Sequence, residues 1–179
     1  MTALLRFYDA AADRAQALAG PALPSLARLL FAGILLLYYW GSALTKVGDS
    51  ALSPASGAYI QIFPKAVEAV GYDVSKLSGF HTLVVLAGTA AEFLLPALIV
   101  AGLFTRLAAL GMIGFVAVQS WVDVFGHGLA GPDIGAWFDR DPSALLLDQR
   151  ALWLFLLTVL VLKGAGPLSA DRLLASRSR

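Results

Sequence analysis

The chain contains no cysteine. That excludes disulfides, thiolate-held clusters, CxxC redox chemistry and c-type haem attachment within this polypeptide. Charge is also scarce: Asp, Glu, Lys and Arg make up 14% of the residues, against about 25% in ordinary globular chains. Thirteen basic and twelve acidic residues leave a formal net charge of +1, which offers no electrostatic footprint for nucleic acid. No GxGxxG stands after a strand, so a dinucleotide fold is not indicated. No repeat supports an inverted-repeat transporter. The echo between residues 19–30 and 165–174 is short, and reads as coincidence or as two similar interfacial elements.

What is present is apolar. Hydrophobic residues make up 59% of the 179, and the mean hydropathy is +0.76. So little charge with so much apolar surface excludes a disordered chain. The expectation is an all-α, polytopic membrane protein. A helix needs about 20 apolar residues to cross a hydrocarbon core about 30 Å thick. Four segments qualify: about 26–44, 78–101, 107–125 and 151–168. The last is short between Arg150 and Lys163, and reaches full length if Lys163 snorkels or if 164–168 continues the helix. The outer connections, 45–77 and 126–149, are long enough to carry short helices of their own. Residues 58–70 are one candidate, broken or restarted at Pro64.

Residues 1–25 lack the apolar core of a cleavable signal peptide. Leu4, Tyr8, Ala11, Ala15 and Leu18 recur at helical spacing, the pattern of an interfacial helix that Pro21 and Pro24 stop; an Ala-rich frayed terminus is the bland alternative. Arg6, Arg14, Arg28, Arg106, Lys163, Arg172, Arg177 and Arg179 fall on one side of the four spans. The positive-inside rule then places both termini, and the tail from 169 to 179, in the cytoplasm.

Polar residues within the spans carry the chemistry. Glu92 lies deep in the second span, where a carboxylate costs at least about 2.5–3.5 kcal/mol. It must face the bundle, pair, or keep its proton. His81 precedes it by a spacing that returns to within about 20° of the same face, about 16 Å away along the axis. In the third span Gln119, Asp123 and His127 share a face. Tyr39, Ser42 and Lys46 form a stripe on the first, and Arg150 enters the fourth at the same rim. These stripes converge on the outer half of the bundle. Each has a bland reading: Asp123 pairs with Lys46 or Arg150, and Tyr38, Tyr39, Trp40, Trp121 and Trp153 form an aromatic belt.

Several residues together resemble the DoxX family of small four-helix membrane proteins. They are Arg28-Leu-Leu, Trp40-Gly-Ser-Ala-Leu-Thr-Lys46, the buried Glu92, the Gly102-Leu-Phe-Thr-Arg106 turn and Gly164-Ala-Gly-Pro-Leu-Ser-Ala-Asp171. The resemblance covers about residues 25–174; the connection 126–149 is longer than in simple members. It implies a membrane oxidoreductase subunit working with quinone or with a partner redox protein, in a bacterial inner (cytoplasmic) membrane.

On this reading Glu92, His81 and Asp123 are the candidate catalytic groups. Tyr39, Lys46, Gln119 and Arg150 are the candidates for holding quinone in an apolar slot between helices. Two further classes stay open. One is a non-catalytic scaffold or metal-handling subunit, with His81, Asp123 and His127 as ligands; no haem is expected, although one b-type haem between the two histidines fits by level. The other is a proton-coupled transporter using Glu92.

Overall fold

The computed structural model describes residues 2–50 and 52–177; Arg179, counted in the charge bias above, lies outside them. Four helices are long and apolar enough to cross a membrane, and they pack as one bundle. The chain begins with α1 (Thr2–Phe31), which passes through a π-helical turn at Ala32–Leu36 into α2 (Leu37–Leu44). An antiparallel hairpin follows, β1 (Val47–Ser50) with β2 (Ser53–Pro54), and then two short helices, α3 (Ser56–Ile62) and α4 (Pro64–Ala69). The remaining spans are α5 (Gly79–Ala101), α6 (Thr105–Trp121, with a π-helical turn at Val122–Gly126) and α7 (Ala151–Lys163, preceded by a π-helical turn at Leu145–Arg150). The chain ends in α8 (Ala170–Arg177).

Two boundaries differ from the sequence expectation. Pro21 and Pro24 do not stop the first helix: α1 runs straight through both. Each proline removes a backbone donor, but Pro24 is fully buried and Gly166 approaches it so closely that an added Cβ would lie 3.1 Å from its ring. Tertiary packing outweighs the local penalty, as it does in membrane helices generally. The continuous helix from Thr2 to Leu44 is about 64 Å long, twice the hydrocarbon thickness, and residues 3–18 are exposed throughout. The fourth span, expected at 151–168, gains its length at the other end. It covers Leu145–Lys163, because Gly164 at φ +79 breaks the helix where an L-residue could not readily follow. The break at Pro64 stands as expected, with α3 ending at Ile62 and α4 starting on the proline.

Two apolar clusters form the interior. The larger joins all four spans around Phe31, Tyr39, Ile99, Met112, Leu157 and Leu160. The smaller seats the 45–77 connection on the first half of α5, through Ala58, Tyr59, Val67 and Val85. Along α5 the buried side chains are Val85, Thr89, Glu92, Pro96 and Ile99, the i, i+4, i+7 stripe of a helix with one inward face. Val85 belongs to the small cluster and Ile99 to the large one, so Glu92 lies between them.

At the end opposite α3 and α4, most of the resembling motif residues form a clamp. Arg28 donates from Nε to the Ile99 carbonyl (3.0 Å) and from its terminal nitrogens to the carbonyls of Val100, Ala165 and Leu168. One side chain thus ties carbonyls at the C-terminus of α5 to carbonyls of the 165–168 segment. Gly102, at φ +69, closes α5 with bonds to Ile99 and Leu98 from Gly102 and Leu103, the left-handed cap that glycine favours. A Cβ on Gly102 would also meet Ser169 at 2.6 Å and Arg28 at 2.8 Å. Asp171 then caps α6, accepting from the N–H groups of Phe104 (2.7 Å) and Thr105 (3.1 Å). Asp171→Ala removes both acceptors. Such caps contribute about 0.5–2 kcal/mol, so thermal unfolding in detergent, followed by tryptophan fluorescence, should shift down by a few degrees, with Asp171→Asn in between.

Candidate functional site

Glu92 is 4% exposed and Lys46 6%. Lys46 Nζ lies 2.9 Å from Glu92 Oε2 and 3.1 Å from Oε1, a buried ion pair joining the end of α2 to the middle of α5. Ser42 completes it: its hydroxyl donates to Glu92 Oε1 (3.0 Å) and accepts from Lys46 Nζ (2.7 Å). Lys46 also donates to the Ser42 carbonyl at 3.2 Å. Trp40 fixes the same two helices by donating from Nε1 to the Phe93 carbonyl at 3.1 Å. Of the ways to accommodate a deep carboxylate, the structure shows pairing, and the partner is Lys46. Glu92 lies about 20 Å along α5 from Gly79 and about 14 Å from Ala101, so it sits near the middle of the span rather than in its outer half.

Asp123 pairs with Arg150, the second of its two expected partners. Arg150 is 2% exposed and also donates to Ser120 Oγ at 2.8 Å; its Nε has no partner among the described residues. Both members of the pair come from π-helical turns, whose wider winding re-aims side chains and which recur at functional sites. Between the two ion pairs stands an aromatic and amide relay. The buried Tyr39 hydroxyl is 3.5 Å from Gln119 Oε1, and Gln119 Nε2 donates to the Tyr38 hydroxyl at 3.1 Å. Tyr39 packs edge-on against Phe115 and Trp153, with centroids 5.8 and 6.4 Å away. It is a core residue, not a member of an interfacial belt.

Most of these groups, but neither Tyr39 nor Arg150, border a cavity of about 550 Å³ between α2, α5 and α6, roofed by α3. Tyr38, Ser42, Lys46, Glu92, Gln119 and Asp123 supply its polar wall; Ile62, Val84, Leu95, Phe115 and Val118 supply apolar wall. Its side between α5 and α6 is built from Ala87, Gly88, Ala91, Gly111 and Gly114. Ala87, Gly111, Gly114 and Val118 are exposed there, so the cavity opens laterally, at the depth where lipid surrounds a membrane span. Tyr38 accepts its hydrogen bond from Gln119 and so keeps its own proton for a molecule in the cavity. Sequence reasoning chose Tyr39 and left Tyr38 to the belt. Both reach Gln119 from adjacent positions on one helix, but Tyr39 is buried in the core and Tyr38 borders the cavity.

The histidines fall elsewhere. His81 bonds through Nδ1 to Ser78 Oγ (2.9 Å) and stacks edge-on with Phe63 at 4.7 Å. It seats the 45–77 connection and does not line the cavity. Its angle on α5 matches that of Glu92, but it lies one helical turn above Val85, under α3 and α4. His127 is at the rim and donates from Nε2 to the Gln61 carbonyl at 2.9 Å. The alternative ligand set His81, Asp123 and His127 is not gathered: no group of three or more His, Asp or Glu placed to hold a metal occurs among the described residues.

Removing one member of a buried ion pair leaves the other uncompensated, at a cost of about 3–5 kcal/mol. Glu92→Gln and Lys46→Met should each destabilise the bundle by that order. The double variant Lys46→Met/Glu92→Leu should lose less than the sum, because no charge is then stranded. Unfolding in graded denaturing detergent measures all three against the wild type, and additive losses would show that the pair is not a unit. Comparison of the chain with family models, with curated proteins and with solved structures finds no match.

Proposed function

We propose that this protein is a DoxX-like integral membrane subunit of an oxidoreductase system, which takes a quinone from the lipid phase into the cavity between α5 and α6. One observation carries the reading: a laterally open cavity combines apolar walls with a hydroxyl proton kept available on Tyr38. That donor set suits a molecule with a carbonyl-bearing head and an apolar body. When bound, the quinone supplies two-electron carrier chemistry. The chain itself orients and handles protons. Gln119 holds the Tyr38 hydroxyl, Tyr38 donates to a carbonyl oxygen, and the Lys46–Ser42–Glu92 cluster offers exchangeable protons beside it. Electrons come from a partner redox protein, since the chain has no thiol. The setting is a bacterial inner membrane with both termini cytoplasmic and residues 3–18 of α1 extending the first span beyond the bundle.

The test is a titration of purified protein with a short-chain benzoquinone, followed by tryptophan quenching. A neutral hydrogen bond contributes about 1 kcal/mol, so Tyr38→Phe should weaken binding about fivefold, while Tyr72→Phe, in the outer connection, should not. No saturable quenching would overturn the reading. A second reading, a non-catalytic scaffold, is favoured by the closure of the Lys46–Ser42–Glu92 cluster on itself; saturable quinone binding would count against it.

Because the chain has no cysteine, topology can be probed without background. Single cysteines at Lys65 and Asp139 should react with an impermeant thiol reagent in intact cells, and cysteines at Arg6 and Arg172 should not. The reverse pattern would invert the orientation.

A further inference from the structure

On the opposite side of the bundle a second groove runs between α1 and α7. Its volume is about 330 Å³ and every side chain bordering it is apolar, Leu23, Ala27 and Ile34 facing Leu152, Leu156 and Val159. Leu152, Leu156 and Val159 follow the i, i+4, i+7 spacing of one helical face, and the next position on that face is Lys163. Beyond Val159 and Leu23 lies a separate depression of about 500 Å³, bordered by Pro24, Lys163, Ser169, Asp171 and Arg172. Lys163 and Arg172 are exposed, and neither side chain makes an ion pair or hydrogen bond among the described residues. Asp171 brings one negative charge to the same border, and Arg28, with which it interacts electrostatically, offsets it, so that Lys163 and Arg172 leave the border net positive.

We propose that this seam binds one anionic phospholipid, with an acyl chain in the α1–α7 groove and the phosphate against Lys163 and Arg172. The dimensions fit. From Lys163 to Leu152 the helix rises about 16 Å, half of a hydrocarbon core about 30 Å thick, so the groove is as deep as one leaflet. Charge complementarity selects the headgroup: two uncommitted cations stand at the end of an apolar channel, at the level where a span of this length meets the headgroup layer. The rings of Pro21 and Pro24 form one border of the depression, and Gly166 lets the 165–169 segment approach Pro24. This site is independent of the quinone reading, shares no residue with that cavity, and faces a different pair of helices.

Native mass spectrometry of protein released from nanodiscs of equal phosphatidylglycerol and phosphatidylcholine tests the proposal. The wild type should retain phosphatidylglycerol preferentially. Each basic residue near the surface contributes about fivefold, so Lys163→Gln/Arg172→Gln should lower that preference at least about tenfold, while Lys65→Gln/Lys76→Gln in the outer connection leaves it unchanged. Ile34→Trp, at an exposed groove wall, should reduce retention of both lipids without altering their ratio. Equal retention of the two lipids by the wild type would overturn the proposal, as would a ratio that survives loss of Lys163 and Arg172. Full retention in Ile34→Trp would remove the groove from it.

Discussion

Glu92 can occupy the middle of a membrane-length helix because Lys46 and Ser42 reach it there. Much of the architecture follows from that requirement. For Lys46 to meet Glu92, the first span must end as a helix at Leu44, level with the middle of α5. The first half of α5 is then left without a membrane-length neighbour on that side. The chain supplies one by returning as α3 and α4, whose Ala58, Tyr59 and Val67 bury Val85. Tyr59 and Thr82 bond across this contact at 2.9 Å, and the two histidines secure its flanks. The 45–77 connection is therefore part of the bundle, and it is also the roof of the cavity.

Arg28 solves the complementary problem for the backbone at the other end. Helix termini leave carbonyls without partners, and in an apolar setting each such group is costly. A guanidinium has five donors in a fixed fork, so one Arg28 can serve the end of α5 and the 165–168 segment together. That brings Asp171 to the start of α6, where it caps Phe104 and Thr105. Phe104 has φ +48, a conformation that costs an L-residue of order 1–3 kcal/mol; the charge-assisted cap at that residue offsets it. The segment 19–30 and its faint echo at 165–174 are the two halves of this clamp.

The four spans were legible because hydropathy measures the property that membrane insertion selects, and Glu92 stood out because hydrocarbon makes it expensive. Residue pairing was less legible. Helix periodicity assigns an angle on each helix but neither the relative height of neighbouring helices nor local changes of winding. His81 and Glu92 share an angle, yet they lie at heights occupied by different partners. Tyr38 and Tyr39 are adjacent, yet Tyr39 is buried in the core and Tyr38 borders the cavity. Pro21 and Pro24 look like helix stops by local rule. What keeps the helix intact there is contact with Gly166, far away in sequence.

Small residues in membrane helices usually bring backbones together, and α5 and α6 carry many of them on facing sides. Here they do so along only part of the contact. Leu95 fills the space over Gly111, where an added Cβ would lie 3.1 Å from its side chain. At the far end of α6, Pro64 of α4 packs on Gly126, where a Cβ would lie 3.0 Å away. Between them the space over Gly114 stays open, and a Cβ there would meet nothing within 4 Å. The missing side-chain volume therefore remains as open space beside Lys46, Glu92 and Tyr38. The same residues that would close a tighter bundle leave this one with a lateral entrance to its most polar region.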